Sequence, residues 1–282
     1  MATLTAAGYA RLGATLRGED ESPLALSEAA LVVATHAYPE LDVDGYLARI
    51  SDAAGRLRAR LPADAGRQHM IGMLNHFMFD ELGFSGSSKD YYDPRNSMLN
   101  DVLDRRLGIP ITLSILYLEV GRAIGLPLSG VSFPGHFLVR CPMRGGIAVI
   151  DPYHGGISLS EEGLNTLLAQ TKVAEAGFPL HVHLQPAGKR EIIARLLRNL
   201  RRIYEDSGAL ERALEMADLI LVATPDAPGE FRERAALYRK LECHAAALRD
   251  FERYLAKDPL AADEPAHRDT LSELRALAAK LH

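Results

Sequence analysis

Between Ile109 and Leu128 the chain is apolar around most of a helical circumference, and its charged residues there are Glu119 and Arg122. A segment like this must either cross a membrane or be wrapped by protein. Two charges in its middle favour the second outcome. Pro110 suits a first helical position, where its missing N–H removes no bond, and Gly125 suits the end. The chain is therefore expected to fold around one central buried helix, with its other elements packed against it.

The 282 residues leave room for one large domain or two ordinary ones, and 48% of them are hydrophobic. Trp is absent, so aliphatic residues with a few Phe and Tyr must fill the core. A net charge of -5 argues against bulk attraction to nucleic acid or to an anionic membrane. Cys141 and Cys243 lie too far apart for a metal knuckle and are too few for a disulfide framework. Reduced thiols in a cytoplasmic protein are expected. The first twenty residues carry Arg11, Arg17, Glu19 and Asp20 rather than a leader-type apolar run.

Upstream of the central run, three helices are expected. The first covers residues 22–36, starting at Ser22-Pro23. The second is capped by Asp44. The third covers residues 67–82 and stops at Gly83. Gly83 to Asn96 is rich in turn residues. A short helix follows, with a basic last turn at Arg105-Arg106 and a stop at Gly108.

Downstream, Val131–Cys141 and Ile147–Tyr153 have strand composition and flank Pro142-Met143-Arg144-Gly145, read as a four-residue hairpin loop. Pairing Cys141 with Gly146 sets His136 opposite Asp151, close enough for a histidine–carboxylate contact. A helix is expected over 160–176, and the alternation of Leu180-His181-Val182-His183-Leu184 suggests one more strand. His154, His181 and His183 invite a metal reading. No Cys or carboxylate accompanies them at a ligand spacing, so neither a metal nor a cofactor is expected.

From Lys189 the pattern is helical and overlays on itself at a shift of 34 residues. Tyr204 falls on Tyr238, Ala213 on Ala247, Leu214 on Leu248, Leu221 on Leu255 and Pro225 on Pro259. That period resembles tetratricopeptide repeats, which generally bury their faces by stacking. Two repeats and a last helix over 263–281 make a short array. The basic stripe Lys189, Arg190, Arg195, Arg198, Arg201 and Arg202 is either a solvated face or a site for an acidic partner.

A buried helix followed by a His-bearing and then an Asp-bearing strand resembles the transglutaminase-like superfamily, which has a papain-like core. The segments Asp93-Pro94-Arg95-Asn96-Ser97, Arg105-Arg106-Leu107-Gly108-Ile109-Pro110-Ile111 and Phe133-Pro134-Gly135-His136-Phe137 are similar to the bacterial SirB/YchA-type branch. In that branch the core precedes tetratricopeptide repeats. The resemblance implies a Cys about fifteen residues before Gly125, with a helix N-terminus to lower its pKa and His and Asp to complete a triad. Counting back from Gly125 reaches Pro110 instead, and loss of the Cys is typical of the branch.

The expected class is therefore α+β, with two parts. Residues 1–187 form a helix-rich transglutaminase-like domain with a small antiparallel sheet. Residues 188–282 form an all-α repeat module. The resemblance leaves His136 and Asp151 as a remnant dyad. It favours a pseudoenzyme that binds a protein or peptide, largely through the repeats, in a binding or regulatory role. The alternative is a hydrolase or acyltransferase that uses a hydroxyl of Thr112 or Ser114 with His136 and Asp151. Oligomeric state and partner identity stay open.

Overall fold

The computed structural model describes residues 6–17, 25–171, 173 and 177–279. The chain divides into two compact units, residues 1–192 and 193–282. In the first unit the helices α1 (Ala6–Arg17), α2 (Leu26–Ala34), α3 (Val43–Arg58), α4 (Arg67–Asn75) and α5 (Leu99–Arg105) precede α6 (Pro110–Ala123). Strands β1 (Ser85–Gly86) and β2 (Leu107–Gly108) form a small parallel pair. After α6 come β3 (Ser129–Val131), β4 (Leu138–Met143), β5 (Gly146–Asp151) and β6 (Ile157–Ser158), which form a four-stranded antiparallel sheet in that order. Helices α7 (Glu161–Ala169) and α8 (Leu180–His183) complete this unit.

Helix α6 is the centre of that unit, as its composition requires. It packs against α2, α3, α4, α5, β3 and β4, and eleven of its fourteen residues are buried. Each buried Leu or Ile removed from water contributes about 2 kcal/mol to that core. Pro110 occupies its first turn, and Gly125 follows its end at φ 95°. Its polar side is narrow: the Ser27 hydroxyl donates to Glu119 at 3.0 Å, and Arg122 donates to the carbonyl of Leu128 at 3.3 Å.

Several local expectations need correction. The second helix is capped by Asp42, whose carboxylate accepts from the Gly45 N–H at 2.9 Å, while Asp44 lies in the first turn. The helix expected over 67–82 is α-helical only to Asn75. It then widens into a π-helical turn, His76–Glu81, in which the Leu82 N–H reaches back to the Phe77 carbonyl at 2.9 Å. Gly83 does stop it, at φ 74°. Helix α5 ends at Arg105 and is capped by Arg106, itself left-handed at φ 61°, so Gly108 is not its stop and pairs instead in β2.

The hairpin turn is two residues, Arg144-Gly145, with Gly145 at φ 87°. The register pairs Val139 with Ile150 and Met143 with Gly146, two residues away from the expected one. A shift of two keeps every side chain on its face. Residues 180–184 hold a short helix rather than a strand. Five alternating residues beginning after Pro179 fit either state. The Ser22-Pro23 start of the first helix, residues 174–176 and residues 280–282 lie outside the described residues.

Helix α9 (Lys189–Asp206) begins in the first unit and continues into the second. The second unit contains α10 (Leu210–Ala223), α11 (Pro228–Lys240), α12 (His244–Lys257), α13 (Pro259–Ala262) and α14 (Pro265–Ala279). Helices α10 and α12 start and end 34 residues apart, the shift seen in the sequence. Ala235, Ala247, Phe251, Tyr254 and Leu274 share one core there. The small Ala residues let the helices approach closely and the aromatics fill the space between them. Arg234 on α11 clamps two neighbouring helices, donating to Asp250 at 2.6 and 2.8 Å and to Asp218 at 2.7 Å.

Candidate functional site

The turn Pro134-Gly135-His136 leads into β4 and is held by the fully buried Phe133 and Phe137 on either side. Gly135 takes φ 68°, and the His136 N–H closes the turn onto the Phe133 carbonyl at 3.1 Å. His136 therefore reaches the site from a turn before the strand. Its Nε2 lies 2.9 Å from Asp151 Oδ2. The two residues meet although the hairpin register differs from the expected one.

Asp151 ends β5 and caps the 3-10 turn Pro152–His154. Its Oδ1 accepts from the backbone N–H of Tyr153 at 3.0 Å and of His154 at 3.4 Å. Its Oδ2 also faces His154 Nδ1 at 2.7 Å. The Asp151 side chain is 1% exposed, those of His136 and His154 12% and 54%. Burial pushes the Asp151 carboxyl up, but the hydrogen bonds and charges of His136 and His154 outweigh it and leave it below the ordinary carboxylate range. The Tyr153 ring stands edge-on to both imidazoles, at 6.0 and 5.0 Å between centroids.

A second polar chain ties this corner to the central helix. The Tyr117 hydroxyl donates to Asn75 Oδ1 at 2.8 Å, and Asn75 Nδ2 donates to the Gly156 carbonyl at 2.8 Å. Gly156 takes φ 75°, and a Cβ on it would collide with the Asn75 side chain. The Tyr153 hydroxyl donates to the Ser87 carbonyl at 2.9 Å. Neither Asn75 nor Tyr117 is marked by a local pattern, since their bond joins positions 42 residues apart.

The hydroxyls on the first turns of α6 are engaged or enclosed. Thr112 Oγ1 accepts from the Ile109 N–H at 3.0 Å and donates to the Asn96 carbonyl at 2.9 Å. Ser114 is fully buried, and its hydroxyl has no hydrogen-bond partner among the described residues. Neither hydroxyl is bonded to His136. Cys141 is buried on β4, and that burial raises its thiol pKa. Cys243 is exposed and lies in the second unit. His181 and His183 sit on α8, and of the three histidines singled out in the sequence, His154 is the one beside Asp151.

A buried central helix followed by a hairpin that joins His to Asp, with helical repeats after it, defines a transglutaminase-like domain carrying a repeat module. The description "Transglutaminase-like superfamily" matches residues 44–198, and "Tetratricopeptide repeat" matches residues 200–279. A UPF0162 protein of Xylella fastidiosa (strain Temecula1) is 40% identical over 242 residues, spanning 85% of this chain and 86% of that protein. UPF0162 protein YchA of Escherichia coli (strain K12) is 29% identical over 79% of this chain and 81% of its own length. F-box only protein 21 of Homo sapiens is 30% identical over 61% of this chain, a match that covers 28% of that protein. The chain belongs to the transglutaminase-like superfamily, in the group of UPF0162 proteins. Tetratricopeptide repeats generally mediate protein interactions. Among the described residues no helix is long and apolar enough to cross a membrane.

Proposed function

We propose that this chain is a non-catalytic transglutaminase-like protein that binds a protein or peptide, with residues 188–282 as the main interaction module. The observation that carries the reading is the first turn of α6. Pro110 stands where the superfamily's nucleophile is expected, and the neighbouring Thr112 and Ser114 hydroxyls are fully buried. A hydroxyl becomes a nucleophile only when a base reaches it, and His136 is instead committed to Asp151. The retained pair pins the hairpin and shapes a polar corner.

The repeats supply a second support. A cleft of 630 Å³ is lined by Arg232, Arg239, Lys240, Phe251, His267 and Leu274, among others. Its rim carries Arg232, Arg239 and Lys240 paired with Glu233, Glu273 and Glu205, and its apolar floor suits the apolar anchor of a bound segment that can exchange into those pairs. With two unbridged cysteines, the compartment proposed is the cytoplasm.

Two measurements test this. The full chain is treated with acyl probes directed at thiols and at hydroxyls, beside a His136→Ala variant. No His136-dependent adduct is expected; an adduct that disappears with His136 overturns the non-catalytic reading in favour of Thr112 or Ser114 chemistry. Capture of partners from the source organism is then compared with and without residues 188–282, and loss of the partner is expected on removal.

A further inference from the structure

We propose that His136, Asp151 and His154 form a binding site for one divalent transition-metal ion of the zinc type. The two imidazoles and the carboxylate each offer a ligand atom, and these atoms lie within 4.8 Å of one another. Both ring nitrogens converge on the same oxygen, Asp151 Oδ2, at 2.9 and 2.7 Å. Zinc–ligand bonds of about 2.0–2.2 Å in tetrahedral geometry need these two separations to open by on the order of half an ångström, and the two imidazole nitrogens to settle about 3.4 Å apart.

The donor chemistry selects the ion. Two imidazole nitrogens with a single carboxylate suit zinc and its first-row neighbours. Magnesium and calcium require mostly oxygen ligands, and one carboxylate is too few. Three protein ligands also leave a coordination position for water or for an oxygen of a bound peptide.

The surroundings are those of a built site. Asp151 Oδ1 is held by two backbone N–H groups, which aim Oδ2 at the histidines. The Tyr153 ring stands against both imidazoles and limits their rotation. Asp151 and His136 form a covered floor, and the half-exposed His154 gives a way in. The ligands come from two short segments, a turn before β4 and an Asp-Pro-Tyr-His turn after β5, so small adjustments suffice to admit the ion. This inference goes beyond the binding role above and does not depend on it.

The test uses the full, untagged chain, stripped with a chelator, in a Cys243→Ser background that removes the exposed thiol. Calorimetric titration with Zn²⁺ is expected to show one ion per chain and no comparable uptake of Mg²⁺. His154→Gln is expected to weaken zinc binding at least about tenfold, and a His181→Gln/His183→Gln double variant to leave it unchanged. His154 is half exposed, so its replacement keeps the fold, which circular dichroism verifies; Asp151→Asn serves as a second variant where it folds. X-ray absorption of the zinc-loaded chain is expected to show nitrogen and oxygen ligands without sulfur. Absence of saturable one-to-one binding, equal uptake of Mg²⁺, or zinc binding that survives His154→Gln overturns the proposal. None of these results bears on acyl-probe labelling or partner capture.

Discussion

The two units use buried polar groups for different ends. In residues 193–282 the charged side chains act as staples between helices: Arg234 joins Asp218 and Asp250, and Arg198 and Arg201 both meet Glu230. In residues 1–192 the innermost polar groups are mostly neutral, and they place a corner. Tyr117, Asn75 and Gly156 form one line, and Asp151 draws in two histidines and two backbone amides. Staples join one helix to the next and can be exchanged for other contacts. A positioning network is singular, and its members Asn75 and Asp151 each hold several partners at once. Damage to the first kind costs stability, and damage to the second also moves a site.

The largest effect is expected from Arg234→Ala. It leaves the buried Asp250 carboxylate without its clamp and costs about 3 kcal/mol of the stability of the repeat unit, read by urea unfolding. A double change, Arg234→Met with Asp250→Leu, is expected to recover much of that loss. Failure to recover would mean that these charges specify more than helix contact.

Next is Gly156→Ala, which imposes a left-handed backbone and a collision with Asn75; a loss of about 2 kcal/mol is expected. Tyr117→Phe, which leaves Asn75 Oδ1 unsatisfied, is expected to cost about 1–2 kcal/mol. In both variants the His136 and His154 ring resonances should shift in NMR spectra, and unshifted resonances would break the claim that this network places the site.

Ser114→Ala sharpens the contrast from the other side. A buried hydroxyl without a partner gains from removal, so the variant should be neutral or more stable by up to about 1 kcal/mol, with partner binding unchanged. A hydroxyl-nucleophile mechanism through Ser114 would instead lose all activity.

The smallest effect concerns Asp93. The hydrogen bonds and charge of Arg95 hold its carboxyl below the ordinary range, against an opposing push from burial. A depressed carboxylate stabilises fully above its unfolded pKa, and the contribution is lost as pH falls through the folded value. Asp93→Asn should therefore lower stability slightly near neutrality, flatten the acid limb of the stability profile, and leave stability at the acid end unaltered, read by urea unfolding across pH.

Much of this architecture is legible in the sequence because its signals are local. Pro110 and Gly125 bound a helix whose apolar circumference demands a central place, Gly83 ends a helix by a backbone need, and the 34-residue shift reappears as the spacing of α10 and α12. What escapes is non-local or degenerate. The Tyr117–Asn75 bond joins distant positions that nothing in either neighbourhood marks. Residues 180–184 alternate over too short a span to separate strand from helix. His154 groups with His181 and His183 by residue type alone, because the sequence does not show that Asp151 caps the turn that folds His154 back onto it. Arg106 in a left-handed conformation has no compositional warning, since Gly108 stands two residues away as the obvious candidate.

The π-helical turn at His76–Glu81 has a consequence for how this chain tolerates change in length. A wider turn accommodates one residue more than an α-helix would over the same rise. Asn75 sits just before it, and Phe77 and Met78, both buried, sit inside it. Deleting one residue there would restore an ordinary α-turn with its flanks still in phase, whereas winding the same residues as unbroken α-helix would rotate the downstream end by roughly 100° against the upstream end. Asn75 would then keep its grip on Gly156 only if Phe77 and Met78 left the core. The turn thus works as a phase adjuster, letting two faces that an unbroken helix would set at odds meet their partners together.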